Sequence, residues 1–586
     1  MTDFSLDDQF VVATEPSTRF PAYTRANVGE VWAGPTTPLT SSSMSGWPFE
    51  EAWRAALVRI GAFDADEFDP DHQEMVGVFY GYIYLNLSVQ RVFGVRMPGA
   101  SADVIDASFF GGGATDVPPY VADPRDESPR HSDKMTETIG WSLTVESLPE
   151  LDVQRDRVAR LRANRPDLSQ LSDLELFRYA EPFVTTGQRE LMEEHMFVTA
   201  VGSIPIGIVM GVAAALGDPG LGVRAIAGLG EVDSAAPVWS MWDLSRLVAA
   251  STELTAAFDA GTAGVLDRLR AARSIDGEAF LLGFGELLDR FGSRCVSEWD
   301  LGVLAWESDP AVPLTAIDKM RTVDESKAPA ARHAVLAADR EAVGAQMLAM
   351  LAGDEATQSQ LHAGLRGAAV WLPARERSKT TVILQLHEAR EALQELGRRM
   401  VAAGHFDGVS DVTLLTLDEF EPFIADPASM AGEIRRRRRW HDALWQLDPP
   451  FNCVGQPPAP STWRTRVVED LPPVTAGETI AGIGACPGTA TGVARVILEP
   501  ADGWRLEPGE VMIAPGTDPA WTPLFVSAAA VVVDVGAPLS HAAIVSRELG
   551  VPCVVSATHA SRRIPDGAVV TVDGATGMVT IDSVPG

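Results

Sequence analysis

The sequence predicts a multidomain chain: a large, mostly α-helical N-terminal part and a smaller C-terminal α/β domain. Three observations predict it. First, Leu266–Phe291, Ala330–Leu351 and His387–Ala403 place apolar residues at steps of three and four, the spacing of one helix face. Second, Ala528–Asp534 is a short apolar run of strand type, followed by a glycine turn and the helical segment Ala542–Leu549. Third, a stretch with Pro449, Pro450, Pro457, Pro458, Pro460, Pro472 and Pro473 separates the two and has no helical period. Such a segment is expected to be a stiff, extended linker. The expected boundaries are residues 1–448, a linker over 449–479, and 480–586.

The chain has 586 residues, enough for about three or four units at roughly 150 residues each. Its 46% hydrophobic and 22% charged residues suit globular domains. The net charge of −33 argues against partners such as nucleic acid or an anionic membrane surface. Cys295, Cys453, Cys486 and Cys553 have no paired or metal-type spacing, so free thiols in a reducing, cytoplasmic compartment are expected. The chain opens with Asp3, Asp7, Asp8 and Glu15 and no basic stretch, unlike a signal peptide.

Along the chain, Phe10–Thr40 consists of short apolar pieces broken by prolines. Phe197–Leu216 has no charged residue and is long enough to span a bilayer. Gly202, Pro205, Gly207 and Gly211 within it, and Glu193, Glu194 and Asp218 around it, favour instead a buried helix pair or a broken helix. Arg435–Arg439 reads as a solvated helix face in an acidic protein.

Arg375 and Lys379 precede a helical segment and lie four residues apart, so a helix would put them on one face. The pattern has two readings. One is a solvated basic face offset by Glu376. The other is a pair of cations that neutralises a phosphoryl group. The remaining histidines are scattered and none pairs at metal-ligand spacing, so no metal site is expected.

His541 is the exception. Ser540 is a good helix N-cap, and Gly550 and Pro552 close the helix. A histidine at a helix N-terminus lies beside free backbone N–H groups and the positive end of the dipole. An imidazole nitrogen there can accept a phosphoryl group.

The segment Gly536–Arg547 resembles the phosphohistidine (swivelling) domain of the phosphoenolpyruvate-utilising enzymes. Gly488–Arg495, Ala514–Pro523 and Val572–Gly577 follow in that family's order. The resemblance implies that His541 is the phosphate carrier, with Gly536, Ser540, Arg547 and Thr517 supporting it. Leu539 stands where many members have threonine, so regulation by phosphorylation at that position is not expected.

The longer part is similar to the acceptor domain of rifampin phosphotransferase and its relatives. The similarity rests on Asn27–Thr40, Tyr80–Ser88, Phe291–Leu301 and Ser410–Phe420. It implies that Arg375 and Lys379 act at the phosphoryl-transfer site, and it marks Arg294 as an acceptor-domain candidate. Glu298 and Asp300 are acceptor-domain candidates for the base that deprotonates the hydroxyl, with a structural role as the other reading. Gly292-Ser293-Arg294 stands where the family usually has Gly-His-Arg, so the acceptor chemistry is expected either to differ or to use another base.

No glycine-rich nucleotide loop occurs, and neither an ATP-grasp domain nor a phosphoenolpyruvate-binding barrel is recognisable. The resemblance therefore implies a dikinase-type phosphotransferase subunit. ATP and Mg²⁺ would be held by a separate ATP-grasp protein and not tightly by this chain. The acceptor would be a small, phenolic hydroxyl compound. The alternatives are a rifamycin-like antibiotic phosphotransferase component and a non-catalytic phosphocarrier.

Overall fold

A computed structural model describes residues 4–43, 46–110, 117–230, 232–466, 471–537 and 540–585. The chain divides into two compact units. The first comprises Met1–Ser203, Ser297–Val303 and Ser378–Glu469. The second comprises Ile204–Val296, Leu304–Arg377 and Asp470–Gly586.

The first unit is helical around a small antiparallel sheet. Its strands run in the order Val76–Phe79, Tyr82–Asn86, Ala22–Thr24 and Asn452–Val454. Tyr23 pairs with Asn86 on one side and Cys453 on the other, joining residues far apart in sequence. Tyr23, Tyr82 and Tyr84 are fully buried and pack with Trp440, Leu396 and Phe420. The Tyr82 hydroxyl donates to the carbonyl of Leu444, and that of Tyr84 to Pro450. Burying a phenol without such a partner would be costly.

The proline-rich stretch is not a free tether up to Arg466. It supplies the edge strand Asn452–Val454, and Trp463 packs edge-on against Tyr80 and Tyr82. Apolar anchors hold this extended backbone, whose prolines suit a sheet edge. Residues 467–470 lie outside the described residues. Val474 already belongs to the second unit, buried and bonded through its N–H to the carbonyl of Arg563.

The second unit contains a mixed eight-stranded sheet. Its order is Thr479–Ala481, Met578–Ser583, Val569–Asp573, Thr489–Val496, Val511–Ala514, Ala530–Val533, Cys553–Val555, Ile483–Cys486. The central strands from Thr489 to Val555 are parallel, and the last three of them, Val511–Ala514, Ala530–Val533 and Cys553–Val555, are wholly apolar and buried. That composition suits a sheet buried on both faces. One face packs on Ala560, Ile564 and Ala568. The other shares a core with helices Ala236–Ala250, Ile275–Phe291 and Ala311–Met320 through Trp521, Leu524 and Phe525.

Three helical segments differ from the sequence expectation. Leu266–Phe291 is two helices, Val265–Ala272 and Ile275–Phe291, because Arg273 adopts φ +51° and Ser274 caps the second. Phe197–Leu216 is neither broken nor paired: Arg189–Ala215 is one helix containing Pro205. Burial of Ile206, Val209, Val212 and Ala213 against Val343, Met347 and Leu361 outweighs the ~3 kcal/mol that an internal proline costs. By length and composition this helix could cross a membrane, and half of its most apolar window is buried. Arg375 and Lys379 do not precede a helix but lie inside one, Glu355–Ala402, whose 48 residues also contain Pro373.

Candidate functional site

His541 opens the helix His541–Leu549, directly after a turn through Gly536. Gly536 has φ +151°, and a Cβ there would meet Ser540 Oγ at 3.0 Å and Val555 Cβ at 3.1 Å. Only glycine lets the turn close so tightly. Ser540 sits at the N-cap, but its Oγ does not cap the helix. Among the described residues this buried hydroxyl has no hydrogen-bond partner. The first helical N–H groups are therefore not taken by the cap. Leu539 lies outside the described residues.

The imidazole is held at both nitrogens. Thr517 Oγ1 lies 3.1 Å from Nδ1, and Thr522 Oγ1 lies 3.1 Å from Nε2. Phe525 packs edge-on at 6.1 Å. A neutral imidazole has one donor and one acceptor nitrogen, and a hydroxyl can serve either. The two threonines thus fix the ring plane in either tautomer. Thr522 is fully buried in the short helix Pro519–Val526, which Asp518 caps through the N–H of Ala520. Sequence reasoning placed Thr522 within the Ala514–Pro523 motif but singled out only Thr517 there, since nothing local shows that both hydroxyls face one ring. Replacing Thr522 with valine keeps its shape and removes its hydrogen bond. The rate at which phosphoramidate phosphorylates His541 is expected to fall about tenfold, and Thr522→Ser to restore it. An unchanged rate in Thr522→Val would show that the hydroxyl only fills space.

Arg547 is buried in the same helix and donates to the carbonyl of Ala543 at 3.0 Å. Burial holds its guanidinium below the usual arginine range, and the charge of Arg375 acts in the same direction. Beneath the helix, Cys486 and Cys553 face each other across paired strands. Their thiols point to the carbonyls of Ser546 and Ala542. Burial pushes both thiols up to about 12. They are therefore expected to resist iodoacetamide at pH 8 in the folded chain and to react fully in denaturant. Mass spectrometry of the alkylated peptides checks this, and rapid native labelling would contradict it.

The other sequence candidates fall into two groups. Arg375 and Arg294 belong to the second unit, with His541. Arg375 Nη1 lies 3.8 Å from Glu376 Oε1, and Arg294 donates to the carbonyl of Asp233 at 2.9 Å. Lys379, Glu298 and Asp300 belong to the first unit. Lys379 Nζ lies 3.0 Å from Oε2 of the buried Glu298. Asp300 accepts the N–H of Gly302 at 2.8 Å. The buried Arg390 grips the carbonyls of Glu298 and Asp300, which fixes the Glu298-Trp299-Asp300 loop. His195 stacks on Trp299, and its Nδ1 lies 3.0 Å from Ser378 Oγ, next to Lys379. His195 and Arg390 were not singled out in sequence, because their partners are about 90 to 180 residues away.

A further cluster, Asp64, Glu67 and His131, has the spacing of a metal site. Arg96 binds Glu67 bidentately, and Arg130 and Lys134 both meet Asp64. Three cations on two carboxylates already over-neutralise them, so the cluster suits an ion-pair network better than a metal.

Residues 195–376 match the rifampicin phosphotransferase fourth domain, and residues 506–577 match the PEP-utilising enzyme mobile domain. Rifampicin phosphotransferase of Streptomyces sviceus is 30% identical over 297 residues, covering 50% of this chain and 33% of that protein. The prodigiosin synthesizing transferase PigC of Serratia marcescens is 30% identical over 309 residues, 51% of this chain and 33% of that protein. An uncharacterised protein of Mycobacterium tuberculosis is 40% identical over 215 residues, 36% of this chain and 24% of that protein. The chain thus spans a quarter to a third of the length of these relatives. The mobile-domain match contains His541 and both of its threonines, and with the fourth-domain match it shows that these two regions are similar to PEP-utilising enzymes and to rifampicin phosphotransferase.

Proposed function

We propose that the chain is the acceptor-and-carrier part of a dikinase-type phosphotransferase. The observation that supports this best is the His541 ring, oriented by Thr517 and Thr522 at a helix N-terminus. A lone pair on one imidazole nitrogen attacks the β-phosphorus of ATP, an N–P bond forms and the P–O bond to the departing AMP breaks. Water then cleaves off the terminal phosphate, leaving one phosphoryl group on His541. The helix N–H groups and Ser540 Oγ suit the phosphoryl oxygens. An acceptor hydroxyl then attacks the same phosphorus, the N–P bond breaks, and the hydroxyl proton leaves to a base. The net reaction is acceptor, ATP and water giving phosphorylated acceptor, AMP and phosphate.

ATP and Mg²⁺ are assigned to an ATP-grasp protein that loads His541. The acceptor is a small hydroxylated, phenolic compound, and Arg375 and Lys379 neutralise the phosphoryl group during transfer. The match to the rifampicin phosphotransferase fourth domain favours a second reading, in which the acceptor is a rifamycin-like alcohol. The acidic composition and free thiols suit a cytoplasmic location.

The test mixes the chain with a candidate ATP-grasp donor protein, MgATP, and panels of phenols and rifamycins. AMP release that requires both proteins and one acceptor class supports the proposal. Loading of His541 without transfer to any acceptor would leave only a phosphocarrier.

A further inference from the structure

The carboxylate of Glu548 is buried in the last turn of the His541 helix, where an acidic residue opposes the helix dipole. Burying a carboxylate is costly unless fixed donors replace water. Two such donors are present: the N–H of Leu229 at 3.2 Å from one oxygen and the N–H of Gly230 at 2.9 Å from the other. Gly228 and Gly230 both have positive φ, +59° and +90°. Turns of this kind point successive N–H groups at one anion.

The loop is itself held in place. Arg340 donates to the carbonyls of Ala227 and Gly228. A Cβ on Gly230 would meet His333 Nε2 at 2.7 Å. Leu336 lies against Gly550, just beyond the helix. The loop falls in the region matching the rifampicin phosphotransferase fourth domain, and Glu548 in the mobile-domain match.

We propose that Glu548 is a positioning residue, a clamp that docks the His541 helix onto loop 228–230. The apolar contact of Trp521, Leu524 and Phe525 with helices Ala236–Ala250 and Ala311–Met320 is non-directional. The two hydrogen bonds to one carboxylate supply direction, and losing them favours the undocked arrangement. The functional meaning rests on reading the C-terminal domain as a moving carrier.

Hydrogen exchange of the whole chain tests the clamp in two variants. Glu548→Gln keeps the shape and weakens acceptance. Gly230→Ala strains the loop from the other side. Both are expected to raise amide exchange in residues 519–526, remote in sequence from either change, by about tenfold, the scale of one charge-assisted hydrogen bond. Strands Val511–Ala514 and Ala530–Val533 are expected to keep their protection. Unchanged exchange in 519–526 in either variant overturns the clamp, as does an equal loss of protection in those strands. No phosphate enters this experiment. A failure to phosphorylate His541 would therefore sink the carrier reading alone, and flat exchange would sink the clamp alone.

Discussion

Replacing His541 with alanine is expected to remove all acid-labile phosphate from the chain and to abolish transfer to any acceptor. No other side chain combines a nucleophilic nitrogen with this setting among the described residues. Its ring is held by Thr517 and Thr522, and its helix N-terminus is not capped by Ser540. The substitution should spare the fold. His541 is only half-buried, and the adjoining Ala542, Ala543 and Val545 keep the helix seated in the core. Two neutral hydrogen bonds are lost, at about 1 kcal/mol each. Circular dichroism and thermal melting check the fold, and AMP-release assays with the ATP-grasp protein check the activity. Turnover at the normal rate would mean that phosphate travels by another residue.

The next largest effect is expected at Arg375 and Lys379. Phosphoryl transfer depends on positioning and charge neutralisation. Removing either cation is expected to slow transfer to the acceptor by ~30- to 1,000-fold, the effect of ~2–4 kcal/mol in the barrier. Loading of His541 by the ATP-grasp protein should stay within a few-fold. Lys379 needs a control, because it pairs with the buried Glu298. Lys379→Met alone takes away that cation, and breaking a buried pair costs about 3–5 kcal/mol of stability. The double variant Lys379→Met/Glu298→Gln removes both charges together and separates the two effects. Slow transfer with normal loading in the double variant supports a role at the site. Equal effects on both half-reactions, or recovery of transfer in the double variant, would assign Lys379 to structure.

Local features were legible in the sequence. The strand, glycine turn, histidine and helix over residues 528–549 lie within one short segment, so spacing alone places His541 at a helix N-terminus. Thr517 was also legible, through a motif. What stayed hidden depends on distance. The first unit's sheet joins Ala22–Thr24 to Asn452–Val454, and no local pattern announces that pairing. The proline-rich stretch reads as a tether because prolines dominate it. Trp463, Tyr80 and Tyr82 instead pin it to the core. Thr522, Arg390 and Glu548 acquire meaning only from the groups that face them. Ser540 shows the converse: a residue suited to cap a helix leaves the cap unmade.

The most direct measurement of the central claim is phosphate site mapping on the wild-type chain. Phosphoramidate transfers phosphate to imidazole without any protein donor, so the result does not depend on a partner. The account predicts one acid-labile, alkali-stable phosphate, located by mass spectrometry at His541 in the peptide spanning residues 536–547. No label at His541, or an acid-stable label on a serine or threonine, would contradict it.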